Sequence, residues 1–294
     1  MPDEQTFMPP PATVPSSIAV RPTMTTGEAH DLHTEAVLTQ QRGNVLLITI
    51  NRPRARNSIN RMVAESIGEA LESAERDSAV RAIVLTGAGD RAFCAGADLK
   101  ALAAGEDIHP AGTRARWGFA GYVDHPVSKP TIAAVNGFAL GGGTELALAS
   151  DMVVAADTAE FGLPEVRRGL VAAAGGAFRL AQQIPRKVAL AMAFTGEPIS
   201  AARAAELGLV TRVVAQAQVL SVALELADAI AANAPLAVQA TKRIAGGITD
   251  GHVEREAADW ARNRLEAGRV RHSQDAQEGL RAFVEKRTPN WTGQ

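Results

Sequence analysis

The chain has 294 residues, 46% of them hydrophobic and 21% charged, a balance that excludes wholesale disorder and suits a folded globular protein. A formal net charge of -2 leaves no global footprint for nucleic acid or an anionic membrane, so an anionic ligand has to be met locally. The single cysteine, Cys94, precludes an intrachain disulfide and a Cys-rich metal site; the six histidines lack metal-ligand spacing, and no apolar run approaches the roughly 20 residues of a membrane span. The expectation is a cytoplasmic protein without a metal, a nucleic-acid partner or a membrane partner.

Residues 1–35, with Pro9-Pro10-Pro11 and further prolines at 2, 15 and 22, have no apolar periodicity and read as a flexible extension. Val45 to Ile50 is a buried-strand run. Asn60 then caps a helix whose apolar positions Val63, Ile67, Ala70, Leu71 and Ala74 recur at helical spacing. Strands follow at Val80 to Thr86, Thr131 to Val135, Met152 to Ala155 and Val210 to Val214. Helices are predicted at Pro185 to Phe194 and at Ala201 to Leu207, the latter ended by Gly208. This alternation predicts an α/β fold with crossover connections. After about residue 216 strand signals stop, and three or four helices are predicted, broken at Pro235 and Gly246-Gly247. Within them Trp260, Leu265, Leu280 and Phe283 need a packing partner, either the core or another subunit.

Three segments carry chemistry. Gly87 to Ala92 fits the spacing of a dinucleotide fingerprint, but Gly96 and small residues follow where that motif requires an amphipathic helix, so the nicotinamide reading is set aside. The loop Cys94 to Asp98 has only small side chains before its Asp: it is either a tight strand-to-helix turn or a surface that a ligand can approach through backbone N–H groups. Gly141-Gly142-Gly143-Thr144-Glu145 opens a helix after an apolar strand, and Phe161-Gly162-Leu163-Pro164-Glu165 follows twenty positions later. A glycine-lined helix start offers N–H groups to a developing oxyanion, and two carboxylates in an apolar pocket can hold a proton between them near neutral pH. Each acid also has a plain structural reading, Glu145 as a complement to the helix dipole and Glu165 as a surface partner for Arg167 and Arg168. Cys94 reads as a small buried hydrophobe, and Ser58 and the histidines form no triad pattern.

Taken in order, Asn51 to Asn57, Val84 to Gly87 with Ala92 to Lys100, Lys129 to Glu145, Phe161 to Gly169, Thr195 to Val210 and Ala282 to Arg287 resemble the enoyl-CoA hydratase/isomerase, or crotonase, family over about residues 36–290. The resemblance implies a spiral of ββα repeats over 36–231 and a helical C-terminal region, 232–294, used in trimer contacts, with homotrimers or homohexamers as the assembly. It implies an oxyanion hole from the N–H groups of Ala97 and Gly142, and catalytic carboxylates at Glu145 and Glu165. It further places Arg54, Ala55, Ala95, Asp98, Leu99, Lys100, Phe283 and Lys286 against the coenzyme A part of an acyl-CoA thioester substrate, with no separate cofactor.

The implied reaction is reversible syn hydration of a trans-2-enoyl-CoA to a 3-hydroxyacyl-CoA. Two departures stand out. Val171-Ala172-Ala173-Ala174-Gly175-Gly176 replaces the more usual Ile-Pro-Gly-Ala-Gly-Gly and looks like a carnitinyl-CoA dehydratase-like branch, which implies a branched or polar acyl group. Arg56 stands where many relatives have Leu. The alternatives are a specialised acyl-CoA dehydratase, an isomerase using one carboxylate, and a catalytically silent acyl-CoA binder.

Overall fold

The computed structural model describes residues 35–294, so the proline-rich extension lies outside the described residues except for Glu35. The chain first builds four successive ββα turns. These are β1 (Val37–Arg42), β2 (Val45–Ile50) and α1 (Arg61–Arg76); β3 (Ala82–Gly87), β4 (Ala92–Cys94) and α2 (Leu99–Ala103); β5 (Thr131–Val135), β6 (Phe138–Leu140) and α3 (Gly142–Ala149); and β7 (Met152–Ala156), β8 (Glu160–Gly162) and α4 (Gly176–Gln183). There follow α5 (Arg186–Thr195), β9 (Ile199–Ser200), α6 (Ala201–Glu206), β10 (Arg212–Val214), α7 (Val219–Ala231), α8 (Pro235–Gly246), a small hairpin of β11 (Ile248–Thr249) and β12 (His252–Val253), then α9 (Ala257–Arg271) and α10 (Gln274–Glu285).

Two sheets divide the strands of the second, third and fourth turns, whereas β1 and β2 of the first turn share one sheet. One has the order β1-β2-β3-β5-β7-β10 and is parallel apart from the β1–β2 hairpin; the other has the order β4-β6-β8-β9, parallel as far as β8. β3 and β5 are buried along their whole length, as central parallel strands covered on both faces must be. α1 begins where Asn60 accepts from the Val63 N–H, and its buried stripe of Val63, Ala64, Ile67, Leu71 and Ala74 packs into the core. Fully burying such a Leu or Ile side chain stabilises the fold by about 1.5–3 kcal/mol.

Differences from the predicted elements have local causes. β3 starts at Ala82, because the Val80 N–H closes a turn onto Asp77, and β10 starts at Arg212, because the Leu209 and Val210 N–H groups turn back to Ala204. The second sheet has no counterpart among the predicted elements, since most of its strands are only three residues long and lie inside the glycine-rich loops. A hairpin interrupts the otherwise helical tail at Ile248–Val253. Trp260 finds its partner in the core, edge-on to Phe178, whereas Leu265 remains exposed. α9 packs on α4, and α10 packs on α2 and on the 3-10 turn Pro164–Arg168. There Gly279 lies so close to the Arg168 carbonyl that a β-carbon would come within 2.0 Å of it.

Candidate active site

The ends of the second, third and fourth turns converge. After β4 the chain runs through Gly96 and Ala97 into α2, and after β6 through Gly141 into α3. A β-carbon on Gly96 would lie 3.0 Å from the Gly142 nitrogen, and one on Gly142 3.2 Å from the Gly96 Cα, so the two backbones nearly touch. The sequence permits this because both positions are glycine. Thr144 locks the arrangement: its buried hydroxyl donates to the Ala139 carbonyl at 2.6 Å and accepts from the Gly162 N–H at 3.0 Å.

The N–H groups of the two flanking residues, Ala97 and Gly142, donate to no protein oxygen among the described residues. Gly142 stands at the first helical position of α3, where an orphan N–H is expected. Ala97 is held on the Ile59 segment instead, through Ile59 N–H to the Gly96 carbonyl and Asp98 N–H to the Ile59 carbonyl, both at 2.9 Å. Two such donors can receive an oxygen that gathers negative charge. The ring of Phe119 covers Gly142 from one side.

Glu145, in the first turn of α3, is buried, and its Oε1 accepts from the N–H groups of Ala174 at 2.7 Å and Gly176 at 2.8 Å. Glu165 lies on the 3-10 turn that Pro164 opens and the left-handed Gly169 closes. Its carboxyl points inward, with Oε1 2.9 Å from where a β-carbon on Gly141 would stand, and its buried Oε2 has no hydrogen-bond partner among the described residues. This overturns the surface-turn reading of Glu165, since Arg167 pairs with Glu197 and Arg168 lies 4.9 Å over the Phe283 ring. Burial raises Glu145 well above the ordinary carboxylate range, against the pull of its two N–H donors and of Arg179. Burial also raises Glu165, and the neighbouring Glu145 charge raises it further. Two carboxyls lifted in this way retain protons at pH values where exposed carboxylates are ionised.

The residues expected around coenzyme A are spread over 3-10 turns and helix ends. Arg54 is exposed and Ala55 half-buried on the 3-10 turn Pro53–Ala55; Ala95 is half-buried, its N–H bonded to the Arg56 carbonyl at 3.0 Å. Arg56 itself is exposed, with a left-handed backbone. Leu99 and Lys100 open α2, Lys100 being exposed. The Asp98 side chain is occupied, capping α2 through the Lys100 and Ala101 N–H groups and pairing with Arg52 at 2.9 Å, which holds its carboxyl below the usual range despite partial burial. Phe283 and Lys286 lie at the end of α10, the former under Arg168 and the latter exposed. Cys94 is buried and burial pushes its thiol up to about 12, in keeping with its reading as a packing residue.

Nothing in the linear sequence marks the support behind Glu145. Asn263 on α9 donates to the Ala173 carbonyl at 2.6 Å, and Arg179 on α4 makes a buried ion pair with Glu256 at 2.7 Å while donating to the Val123 carbonyl. Among the described residues no cluster of three or more His, Cys, Asp or Glu side chains is arranged to hold a metal ion.

Paired buried carboxyls beside two unengaged backbone N–H groups can carry out proton transfer next to a carbonyl whose oxygen becomes anionic. Residues 40–294 match the enoyl-CoA hydratase/isomerase family model. The chain is 42% identical over 254 residues to the carnitinyl-CoA dehydratase of Proteus mirabilis strain HI4320, covering 86% of this chain and 96% of that one. Among solved structures, a carnitinyl-CoA hydratase from Mycobacterium avium is 54% identical with a TM-score of 0.86. An enoyl-CoA hydratase from Mycobacterium tuberculosis H37Rv is 43% identical with a TM-score of 0.69; each match covers 89% of this chain and 100% of the other. The chain belongs to the enoyl-CoA hydratase/isomerase family, with the crotonase fold, and is an enzyme of the hydro-lyase kind.

Proposed function

We propose that the protein adds water reversibly across the double bond of a trans-2-enoyl-CoA, with Glu145 and Glu165 as its acid and base. The observation that carries this reading is the convergence of the two buried carboxyls on the Ala97 and Gly142 N–H groups. The thioester oxygen accepts from those two N–H groups as the enolate forms, and losing one such donor typically costs about 2.7–4 kcal/mol of transition-state stabilisation. Glu145, fixed by two N–H donors, activates water for attack at C3. Glu165, protonated, delivers its proton to C2, and dehydration is the same path reversed. In this reading coenzyme A is part of the substrate and no metal or redox cofactor takes part. Arg54, Lys100 and Lys286 supply exposed cations for its phosphates, and the location is cytoplasmic.

The test is hydration of crotonyl-CoA by the purified protein, followed as loss of the conjugated enoyl-thioester absorbance, with Glu145→Gln and Glu165→Gln alongside. Rapid loss that depends on both acids supports the reading; turnover that survives either substitution overturns it. A second reading, dehydration of a polar 3-hydroxyacyl-CoA, is favoured by the Val171 to Gly176 segment and by the relatives named carnitinyl-CoA dehydratase. Carnitinyl-CoA and 3-hydroxybutyryl-CoA assayed side by side separate the two. The assembly proposed is a homotrimer or homohexamer, for which Phe194, Leu236 and Ile244 offer exposed apolar surface; sedimentation velocity checks it.

A further inference from the structure

The acid–base carboxylate Glu145 is held by a segment that is itself held from behind. Its Oε1 accepts from the Ala174 N–H, and that N–H shares a peptide group with the Ala173 carbonyl, which accepts from Asn263 Nδ2 at 2.6 Å. A trans peptide is planar and its C=O and N–H point in opposite directions, so fixing the carbonyl fixes where the N–H aims. A carbonyl that accepts a hydrogen bond also polarises the N–H on its other side, and the two bonds strengthen each other. Glu256, Trp260 and Asn263 follow one another at four- and three-residue spacing along one face of the helix start and α9. All three engage the same support: Glu256 pairs with Arg179, Trp260 lies 3.3 Å from where a Gly175 β-carbon would stand, and Asn263 bonds Ala173.

We propose that Asn263 is a positioning residue for the reaction, setting the Ala173–Ala174 peptide plane so that its N–H orients the Glu145 carboxylate. The inference rests on Glu145 being an acid–base residue. The charged and titratable groups around that carboxyl are Glu165 on the 3-10 turn, the Cys94 thiol at the end of β4, and Arg179 on α4, itself paired with Glu256. Asn263 is neutral, so its removal leaves this charge set unchanged and acts on Glu145 only through the peptide.

The test is Asn263→Leu, which keeps the volume, adds no charge and removes the donor, with Asn263→Ala as a smaller second variant and Glu145→Gln as reference. For crotonyl-CoA hydration the expected result is a fall in kcat of about tenfold, the rate equivalent of about one hydrogen bond, with KM held within about twofold. The acid limb of the rate profile moves to higher pH, because a carboxylate that loses part of its N–H donation binds its proton more tightly. A merely structural role would lower the folded fraction, read by circular dichroism, without moving that limb. An unmoved limb and unchanged kcat in folded Asn263→Leu, with Glu145→Gln inactive, would overturn the proposal alone. Full activity in Glu145→Gln would overturn the reading beneath it as well.

Discussion

Glu145 and Glu165 are the same residue type in one pocket, yet their surroundings differ in kind. Glu145 sits on a regular helix and receives two backbone N–H donors from a segment backed by α9; Glu165 sits on a short 3-10 turn with one oxygen buried and unpartnered among the described residues. The first carboxyl is pinned at one oxygen, which in the proposed mechanism leaves the other for a reacting water. The second has no such pair of donors, and its burial favours the protonated form that the proposed proton delivery requires. In the proposed mechanism this unequal support divides the labour of two equal groups.

The largest effects expected are on turnover. Glu145→Gln and Glu165→Gln each lose on the order of 10² to 10⁴ in kcat, measured on crotonyl-CoA, the usual reach of a general acid or base. A smaller effect tests the contrast directly. A methyl on Gly176 would lie 2.8 Å from Glu145 Oε1, and one on Gly141 2.9 Å from Glu165 Oε1. In folded Gly176→Ala the pinned carboxylate has no room to retreat, and about a tenfold or greater loss of kcat is expected at near-constant KM. Gly141→Ala meets a carboxyl without such a pair of donors, so its cost falls more on stability, because the backbone there has a φ of +56° that Ala tolerates poorly. Equal kinetic losses in the two variants would erase the proposed difference.

Stability and pH supply a third test. Glu165 is protonated more readily folded than unfolded, so the folded state binds more protons as pH rises above the unfolded value near 4.5. The pH-dependent part of its burial cost is therefore absent in acid and grows as pH rises from the unfolded value towards the folded one of about 8. Glu165→Gln is expected to raise the melting temperature at pH 8 by about 2–4 °C per kcal/mol relieved and to leave it little changed at pH 4, a reading for differential scanning calorimetry. The smallest effect concerns Cys94: iodoacetamide at pH 8 labels the unfolded chain rapidly and the native protein barely, by mass spectrometry, because the buried thiol stays protonated.

The elements legible in the sequence are those whose signal is local. β2 and β5 are predominantly apolar runs, and α1 has both its cap and its stripe written within one short segment. The glycine-rich start of α3 and its Glu145 are legible because three consecutive glycines cost backbone entropy that an ordinary helix start avoids. The burial of Glu165 is only partly legible: its pairing with Glu145 suggests a pocket, the arginines beside it suggest a surface turn, and only the fold shows those arginines engaged elsewhere. The contacts of Asn263 and Glu256 are not legible, since their partners lie 90 and 77 positions away and a helical spacing does not say what it faces. The second sheet escapes because three-residue strands carry too little periodicity to register.

The paired amides of Ala97 and Gly142 are main-chain atoms, brought together by glycines on successive turns of the spiral. A scan that trims one side chain at a time will therefore pass over half of this site without a signal. In the proposed mechanism the same property lets side chains around the substrate change without altering the two amides that hold the anion.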